Sequence, residues 1–280
     1  MQKKSIDFLY NTFIGRMFLK FLTHPFISKL GGFLLNTRFS SVFINGFAKR
    51  NNIDFSIYED KKYKSYNDFF TRKIKPNKRK ISKSKSDLVC PCDGNLSVYP
   101  IEEGSIFKIK NSIYRTEDLL ENADLANEYL GGVCLVFRLG VDNYHRYSYI
   151  DNGKILSHKK INGILHVVQE IAVLNHKAYV RNTRQYMVLD TANFDKVIHI
   201  EVGALMVGKI NNYHTRGYKF TKGEEKGFFE FGGSTIILLF KRGIINVDEK
   251  ILNSSINHVE VPIKLGEVIG KRNLDGEKNK

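Results

Sequence analysis

The residues best placed to react with one another in this 280-residue sequence are Gly232, Gly233, Ser234 and Thr235. Glycine-serine strings usually mark flexible linkers, but this one lies between Phe228-Phe229-Glu230-Phe231 and Ile236-Ile237-Leu238-Leu239-Phe240. Such apolar flanks predict a turn held inside a sheet. Glycine adopts backbone conformations that other residues resist, so Gly233 can tilt its carbonyl toward the Ser234 hydroxyl. Attack by that hydroxyl turns the amide into an ester, given a base to take the proton and donors to steady the oxyanion. β-Elimination would then free a Gly233 carboxylate and leave a dehydroalanine at position 234. Tautomerisation and hydrolysis, with loss of ammonia, would make that residue a pyruvoyl cap. The chain would be cut into residues 1–233 and 234–280.

Two other polar positions are candidates. Asp93 sits in Pro91-Cys92-Asp93-Gly94 and His145 in Tyr144-His145-Arg146. Read in isolation, Asp-Gly is an ordinary turn pair and a single histidine is usually a packing residue. His24, His158, His176, His199, His214 and His258 read as surface or packing residues. Cys90, Cys92 and Cys134 are an odd number without a disulfide framework, which points to a reducing compartment. Cys90-Pro91-Cys92 is too tight for zinc-ligand spacing, so the cysteines read as small buried residues and no metal site is expected.

Positioning these groups requires a rigid body, and from residue 86 onward β-branched and aromatic runs alternate with Gly, Asn and Asp turns. Strands are predicted at Val133–Leu139, Lys196–Val202, Ala204–Ile210 and Thr235–Phe240, with Gly203 as a bend. Thr116–Asn127 reads as a helix with Thr116 as N-cap and Glu117 and Asp118 in its first turn. The fold class is α+β, a strand-rich catalytic core at 61–280 behind a helical region at 1–60.

That N-terminal region is amphipathic. Between Ile6 and Leu22 two apolar rows form, Leu9-Phe13-Met17-Phe21 and Tyr10-Ile14-Phe18-Leu22, beside a stripe of Asp7, Asn11, Gly15, Arg16 and Lys20. Arg16 and Lys20 would sit in hydrocarbon if this helix spanned a bilayer, so it is expected to lie on one. Asp7 and Asn11 also interrupt any secretory signal. Apolar stretches at Phe26–Leu35 and Val42–Phe47, edged by Lys49 and Arg50, extend an interfacial surface suited to anionic lipid. The competing expectation is that these helices fold onto the protein's own core.

The net charge of +15 predicts attraction to anionic partners, lipid or nucleic acid. Eight basic residues crowd Arg72 to Lys85 (Arg72, Lys73, Lys75, Lys78, Arg79, Lys80, Lys83 and Lys85) and read as a solvated surface segment. They spell no nucleic-acid module, so no nucleic-acid partner is expected.

The Phe229–Thr235 string resembles the cleavage region of the phosphatidylserine decarboxylases, proenzymes cut at a Gly-Ser bond. Phe69-Phe70-Thr71-Arg72-Lys73-Ile74-Lys75-Pro76, Pro91-Cys92-Asp93-Gly94, Tyr144-His145-Arg146 and Glu201-Val202-Gly203-Ala204 are similar to family motifs in family order. The resemblance implies a proteolytic triad of Asp93, His145 and Ser234, and a pyruvoyl cofactor made from Ser234 that forms a Schiff base with the substrate amine. The implied reaction turns phosphatidylserine into phosphatidylethanolamine at the cytoplasmic face of the cell membrane, by a peripheral protein whose α and β chains stay together, as a possible homodimer. Many members carry a second histidine where Ser148 stands, so the base is left open between His145 and His166. Arg146 and Arg184 are phosphate candidates only by proximity to family-like segments. A pyruvoyl decarboxylase of a soluble amino acid and a non-enzymatic basic lipid-binding protein are the rival readings.

Overall fold

The computed structural model describes residues 8–9, 11–22, 25–102, 106–109, 112–164, 178–204, 209–232 and 234–274. Gly233, His24, His166, His176, Ile6, Asp7 and Tyr10 lie outside the described residues. The described strands are, in chain order, β1 (Asp87–Val89), β2 (Gly94–Pro100), β3 (Ile106–Ile109), β4 (Ser112–Arg115), β5 (Val133–Leu139), β6 (Arg146–Ser148), β7 (Gly153–Ile161) and β8 (Arg184–Thr191). They continue as β9 (Lys196–Val202), β10 (Ile210–Asn212), β11 (Lys219–Phe220), β12 (Glu225–Phe229), β13 (Ser234–Phe240), β14 (Ile245–Val247), β15 (Val261–Ile263) and β16 (Val268–Arg272).

One eight-stranded sheet, ordered β11-β7-β8-β9-β13-β5-β2-β15, runs through the molecule with every neighbouring pair antiparallel. Its central strand β13 is buried at all seven positions. A strand covered on both faces needs an unbroken apolar run rather than alternation, which is what Ile236 to Phe240 supplies. Ile237 and Leu239 pack on one face with Val136, Ile198 and Ile200. Ile236, Leu238 and Phe240 pack on the other with Phe137, Tyr147 and Phe229. A small sheet, β10-β12-β6, supplies Tyr147 and Phe229 and so caps that second face. The body is α+β and rich in strand, as the sequence predicts.

The helices are α1 (Phe13–Leu22), α2 (Pro25–Asn36), α3 (Phe43–Arg50), α4 (Tyr66–Phe70), α5 (Thr116–Leu120), α6 (Ala123–Asn127), α7 (Ala178–Arg181) and α8 (Glu249–Ile256). Ser65 caps α4, its hydroxyl accepting from the Asp68 N–H at 3.1 Å. Buried Phe69 and Phe70 then anchor α4 against α3 through Ile44 and Ala48.

Several sequence expectations are corrected. The single helix expected over Thr116–Asn127 is two short helices, because Glu121 takes a left-handed conformation (φ 47°) and Asn122 caps the second by accepting from Leu125 N–H at 3.0 Å. Thr116 is the first helical residue, not the cap. Of the strand expected over Ala204–Ile210, residues 205–208 lie outside the described residues, Ala204 and Lys209 are not in a strand, and Ile210 opens β10. β13 begins one residue earlier than predicted, at Ser234.

Candidate active site

Ser234 opens β13 opposite Leu139, the last residue of β5, and Leu139 lies beside Gly94 at the start of β2. One end of three adjacent strands thus gathers Ser234, the turn after Leu139, and Asp93. Two strand spacings, about 10 Å, separate the first and third of these. Gly94 makes the approach possible: its φ is 157°, and a Cβ there would lie 2.8 Å from the Arg138 carbonyl oxygen. Gly232, at φ 135°, gives the chain a similarly restricted entry into the cleavage segment.

The residue before Gly232 is pinned to α4. The Phe231 N–H donates to Asn67 Oδ1 at 3.0 Å, and its ring stands edge-on to Tyr66 and to Phe70 at 5.1 Å from each. Beyond it, Ser234 is fully buried and its Oγ has no hydrogen-bond partner among the described residues. Thr235 Oγ1 is also unpartnered. Native interiors seldom leave hydroxyls orphaned without a functional reason.

His145 is fully buried and stacks on Phe70, centroids 4.0 Å apart. Its Nδ1 lies 3.0 Å from the Asn143 carbonyl oxygen, which only a protonated Nδ1 can satisfy. With Nδ1 as the donor, Nε2 keeps its lone pair; it forms no hydrogen bond of good geometry among the described residues, although the nearby Gly232 backbone favours a proton on the ring. Burial, and then the Arg72 guanidinium, push His145 from 6.5 down to about 3, against the opposing pull of the Asn143 and Gly232 backbone. The ring is neutral at ordinary pH and stands next to the residue two before Ser234.

Asp93 is buried at the same sheet end, but its carboxylate points elsewhere. Oδ2 accepts from Arg79 Nη2 at 3.0 Å and Oδ1 from the Leu265 N–H at 2.8 Å. Burial raises its pKa, while Arg79 opposes the rise. No hydrogen bond joins Asp93 to His145 among the described residues. The structure thus brings Ser234 and His145 to the cleavage segment and places Asp93 alongside, bound to an arginine. Asp93 lines a cleft of about 370 Å³ with Gly140, Asn143 and Lys264. Ser148, nearly buried with an unpartnered Oγ, lines another of about 190 Å³ with Arg79, Tyr144, Arg146 and Glu225.

The two arginines considered for phosphate are both engaged within the fold. Arg146 donates to the Thr71 carbonyl at 2.8 Å, to Tyr213 Oη at 2.9 Å and to Glu225. Arg184 is spent on the carbonyls of Asp118, Leu119, Val180 and Asn182. The basic run is likewise not uniformly solvated: Arg72 is 1% exposed and Arg79 is paired with Asp93. Arg72, Arg79 and Phe70, which contact Asn143, Asp93 and His145, were not singled out as candidates. The Phe69–Pro76 string held two of them, but nothing in the string distinguishes a buried arginine from its exposed lysine neighbours. The three cysteines are free and buried, as expected.

Residues 66–271 match the family described as phosphatidylserine decarboxylase. Over 269 residues the chain is 50% identical to phosphatidylserine decarboxylase proenzyme 2 of Clostridium acetobutylicum, covering 96% of this chain and 92% of that one. It is 38% identical over 270 residues to the phosphatidylserine decarboxylase proenzyme of Ruminiclostridium cellulolyticum, covering 95% and 90%. A Clostridium botulinum proenzyme of that name is 38% identical over 275 residues, covering 96% and 93%.

Proposed function

Because the chain belongs to the phosphatidylserine decarboxylase family, we propose that it cuts itself between Gly233 and Ser234, carries a pyruvoyl group at position 234, and converts phosphatidylserine to phosphatidylethanolamine. The observation that carries this reading is the buried Ser234 hydroxyl, which has no partner among the described residues and lies in a segment that His145 adjoins.

Serinolysis needs a hydroxyl near a carbonyl and an acceptor for its proton. Nδ1–H of His145 is fixed on Asn143, so Nε2 is the accepting atom. With so low a pKa the imidazole is a weak base, which suffices for a reaction each molecule performs once. Phe70 and the α4 anchor of Phe231 hold the segment still, keeping water away and the hydroxyl close. Loss of the Ser234 α-proton with cleavage of its Cβ–O bond frees the Gly233 carboxylate, and uptake of water with loss of ammonia leaves the keto group. The buried head of β13, where the Ser234 and Thr235 hydroxyls lack partners among the described residues, would hold that group, which when present supplies the electron sink for the pair left behind as CO2 departs. In this reading Asp93, held by Arg79, takes part in maturation, which its motif and its burial at the same sheet end support.

The helices at 1–60 serve as the membrane contact in this reading. Phe13, Ile14, Met17, Phe18, Phe33 and Phe39 are all more than half exposed on α1, α2 and the turn after them, where core-packed helices would bury them. No helix among the described residues is long and apolar enough to cross a membrane. The double change Phe33→Asp and Phe39→Asp is expected to weaken sedimentation with phosphatidylserine vesicles by about tenfold or more per residue. Unchanged vesicle binding would assign that face to a protein contact instead.

Intact mass tests the central claim. Purified protein is expected to give two fragments, 1–233 and a 234–280 piece blocked at its N-terminus, and to release CO2 from phosphatidylserine. Asp93→Ala is expected to stay whole. A single full-length mass for the folded native chain, with phosphatidylserine unchanged, rejects the reading.

A further inference from the structure

Segment 70–72 holds His145 from three directions. The Phe70 ring stacks on the imidazole, centroids 4.0 Å apart. Arg72 reaches the turn before the histidine, where its Nη2 donates to the carbonyls of Asp142 and Asn143 at 3.2 and 3.3 Å. The residue after the histidine is tied back to the same segment, since Arg146 Nε donates to the carbonyls of Thr71 and Arg72 at 2.8 and 3.2 Å. Asn143 is the junction of this clamp, because its carbonyl oxygen also accepts from His145 Nδ1 at 3.0 Å.

A buried arginine is a costly way to hold a turn. Arg72 is 1% exposed, and its Nε and Nη1 have no partner among the described residues. No carboxylate pairs with it among them. What steadies the charge is the Tyr58 and Phe69 rings, whose centroids lie 4.6 and 4.9 Å from the guanidinium carbon, and Tyr58 Oη at 3.4 Å from Nη2. If the turn needed packing alone, an apolar side chain of the same length would serve it without the desolvation cost. A guanidinium does what an apolar chain cannot, which is to fix two successive carbonyls in direction. The second of them bears on where the imidazole keeps its proton. A neutral imidazole has one N–H, and two backbone groups compete for it, the Asn143 carbonyl at Nδ1 and the Gly232 backbone beside the ring. With the Asn143 carbonyl held at Nδ1–H, Nε2 stays an acceptor. Once released, that carbonyl can turn away and the proton can pass to Nε2.

We propose that Arg72 is a positioning residue for self-cleavage: by fixing the Asn143 carbonyl it keeps His145 in the tautomer that can take the Ser234 proton. The effect on cleavage rests on the reading above, whereas the tautomer is a property of the uncut chain and is measured there. Arg72 touches neither Ser234 nor the His145 ring by any hydrogen bond among the described residues, so it acts only through Asn143.

The test is Arg72→Met, which keeps the stem and removes the charge. In the uncut Ser234→Ala chain, nitrogen NMR of the His145 ring is expected to show Nδ1–H with Arg72 in place and mostly Nε2–H with methionine. Urea unfolding of the same two proteins should show no loss of stability, because an unpaired buried charge has been removed. With Ser234 restored, cell-free translation followed by intact mass is expected to show cleavage slowed by about a hundredfold, the lower end of what a correctly protonated base contributes. Arg72→Lys, with one ammonium for two carbonyls, should recover part of that rate. A methionine variant whose His145 keeps Nδ1–H overturns the proposal, and if it is also less stable Arg72 is a packing residue. If Arg72→Met does not fold, Arg72→Lys decides: both tautomers are expected, and Nδ1–H alone at the native cleavage rate overturns the proposal. A native chain that stays whole removes the cleavage reading and the rate effect with it, while the tautomer comparison stands or falls by itself.

Discussion

Ser234→Ala is expected to fold normally, run as one full-length chain and leave phosphatidylserine unchanged. The separation of stability from chemistry follows from the geometry. Ser234 is fully buried in a hydrogen-bonded strand, so its backbone contributes to β13 whatever the side chain. Its Oγ makes no hydrogen bond among the described residues, so deleting it strands no donor or acceptor there, and the stability change should stay within about 1 kcal/mol. The reaction, in contrast, loses its nucleophile outright. Thr235 cannot substitute, because successive residues of a strand face opposite sides of the sheet. Circular dichroism and intact mass together check this. A two-fragment mass from the alanine variant would place the nucleophile elsewhere, and a collapsed variant would show that the hydroxyl has a structural partner.

The second large effect is on stability. Glu201→Ala is expected to destabilise the fold by about 3–5 kcal/mol, because it leaves the Lys226 ammonium buried without its counter-charge. Both side chains are 0% exposed and in contact through Lys226 Nζ and Glu201 Oε1 at 2.5 Å. Asn212 ties them further, accepting from Lys226 at 2.8 Å and donating to Glu201 at 3.0 Å. Burial already lowers the Lys226 pKa and Glu201 opposes that fall, so the ammonium depends on its partner. The double variant Glu201→Met, Lys226→Met removes both charges and should recover most of the loss. Urea unfolding in the Ser234→Ala background is the measurement, since an uncut chain can refold as one molecule. A single variant no less stable than the double would mean that Lys226 finds another partner or water.

What was legible in the sequence followed from burial pattern. The run Ile236–Phe240 announced a strand, which the structure shows covered on both faces, and Ser234 was conspicuous for standing beside it. The paired β5 and β9 were read to the residue for the same reason. Small β10 and β12 were not, because Asn211, Asn212 and Lys226 interrupt their apolar character, and those polar residues belong to the buried network that only the folded sheets assemble. The helix break at Glu121 was hidden because its left-handed turn is dictated by the following cap, not by a glycine. Arg72 was lost among seven other cations for a related reason: its burial depends on Tyr58, Phe69 and the 142–143 turn, which lie far apart in the chain. Asp93 and His145 could be singled out by their motifs, but their hydrogen-bond partners, Arg79 and Asn143, could not.

The seven-residue strand β13 is hydrogen-bonded on both sides, to β5 and to β9, along nearly its whole length. If the backbone is severed at its head, the shorter piece is clamped between two neighbours that belong to the longer one, and it carries β14, β15 and β16, each knitted to strands elsewhere or to one another. Scission therefore releases nothing. The severed molecule keeps its shape and travels as one particle under native conditions, and its two parts come apart only in a solvent harsh enough to pull out the middle of the sheet.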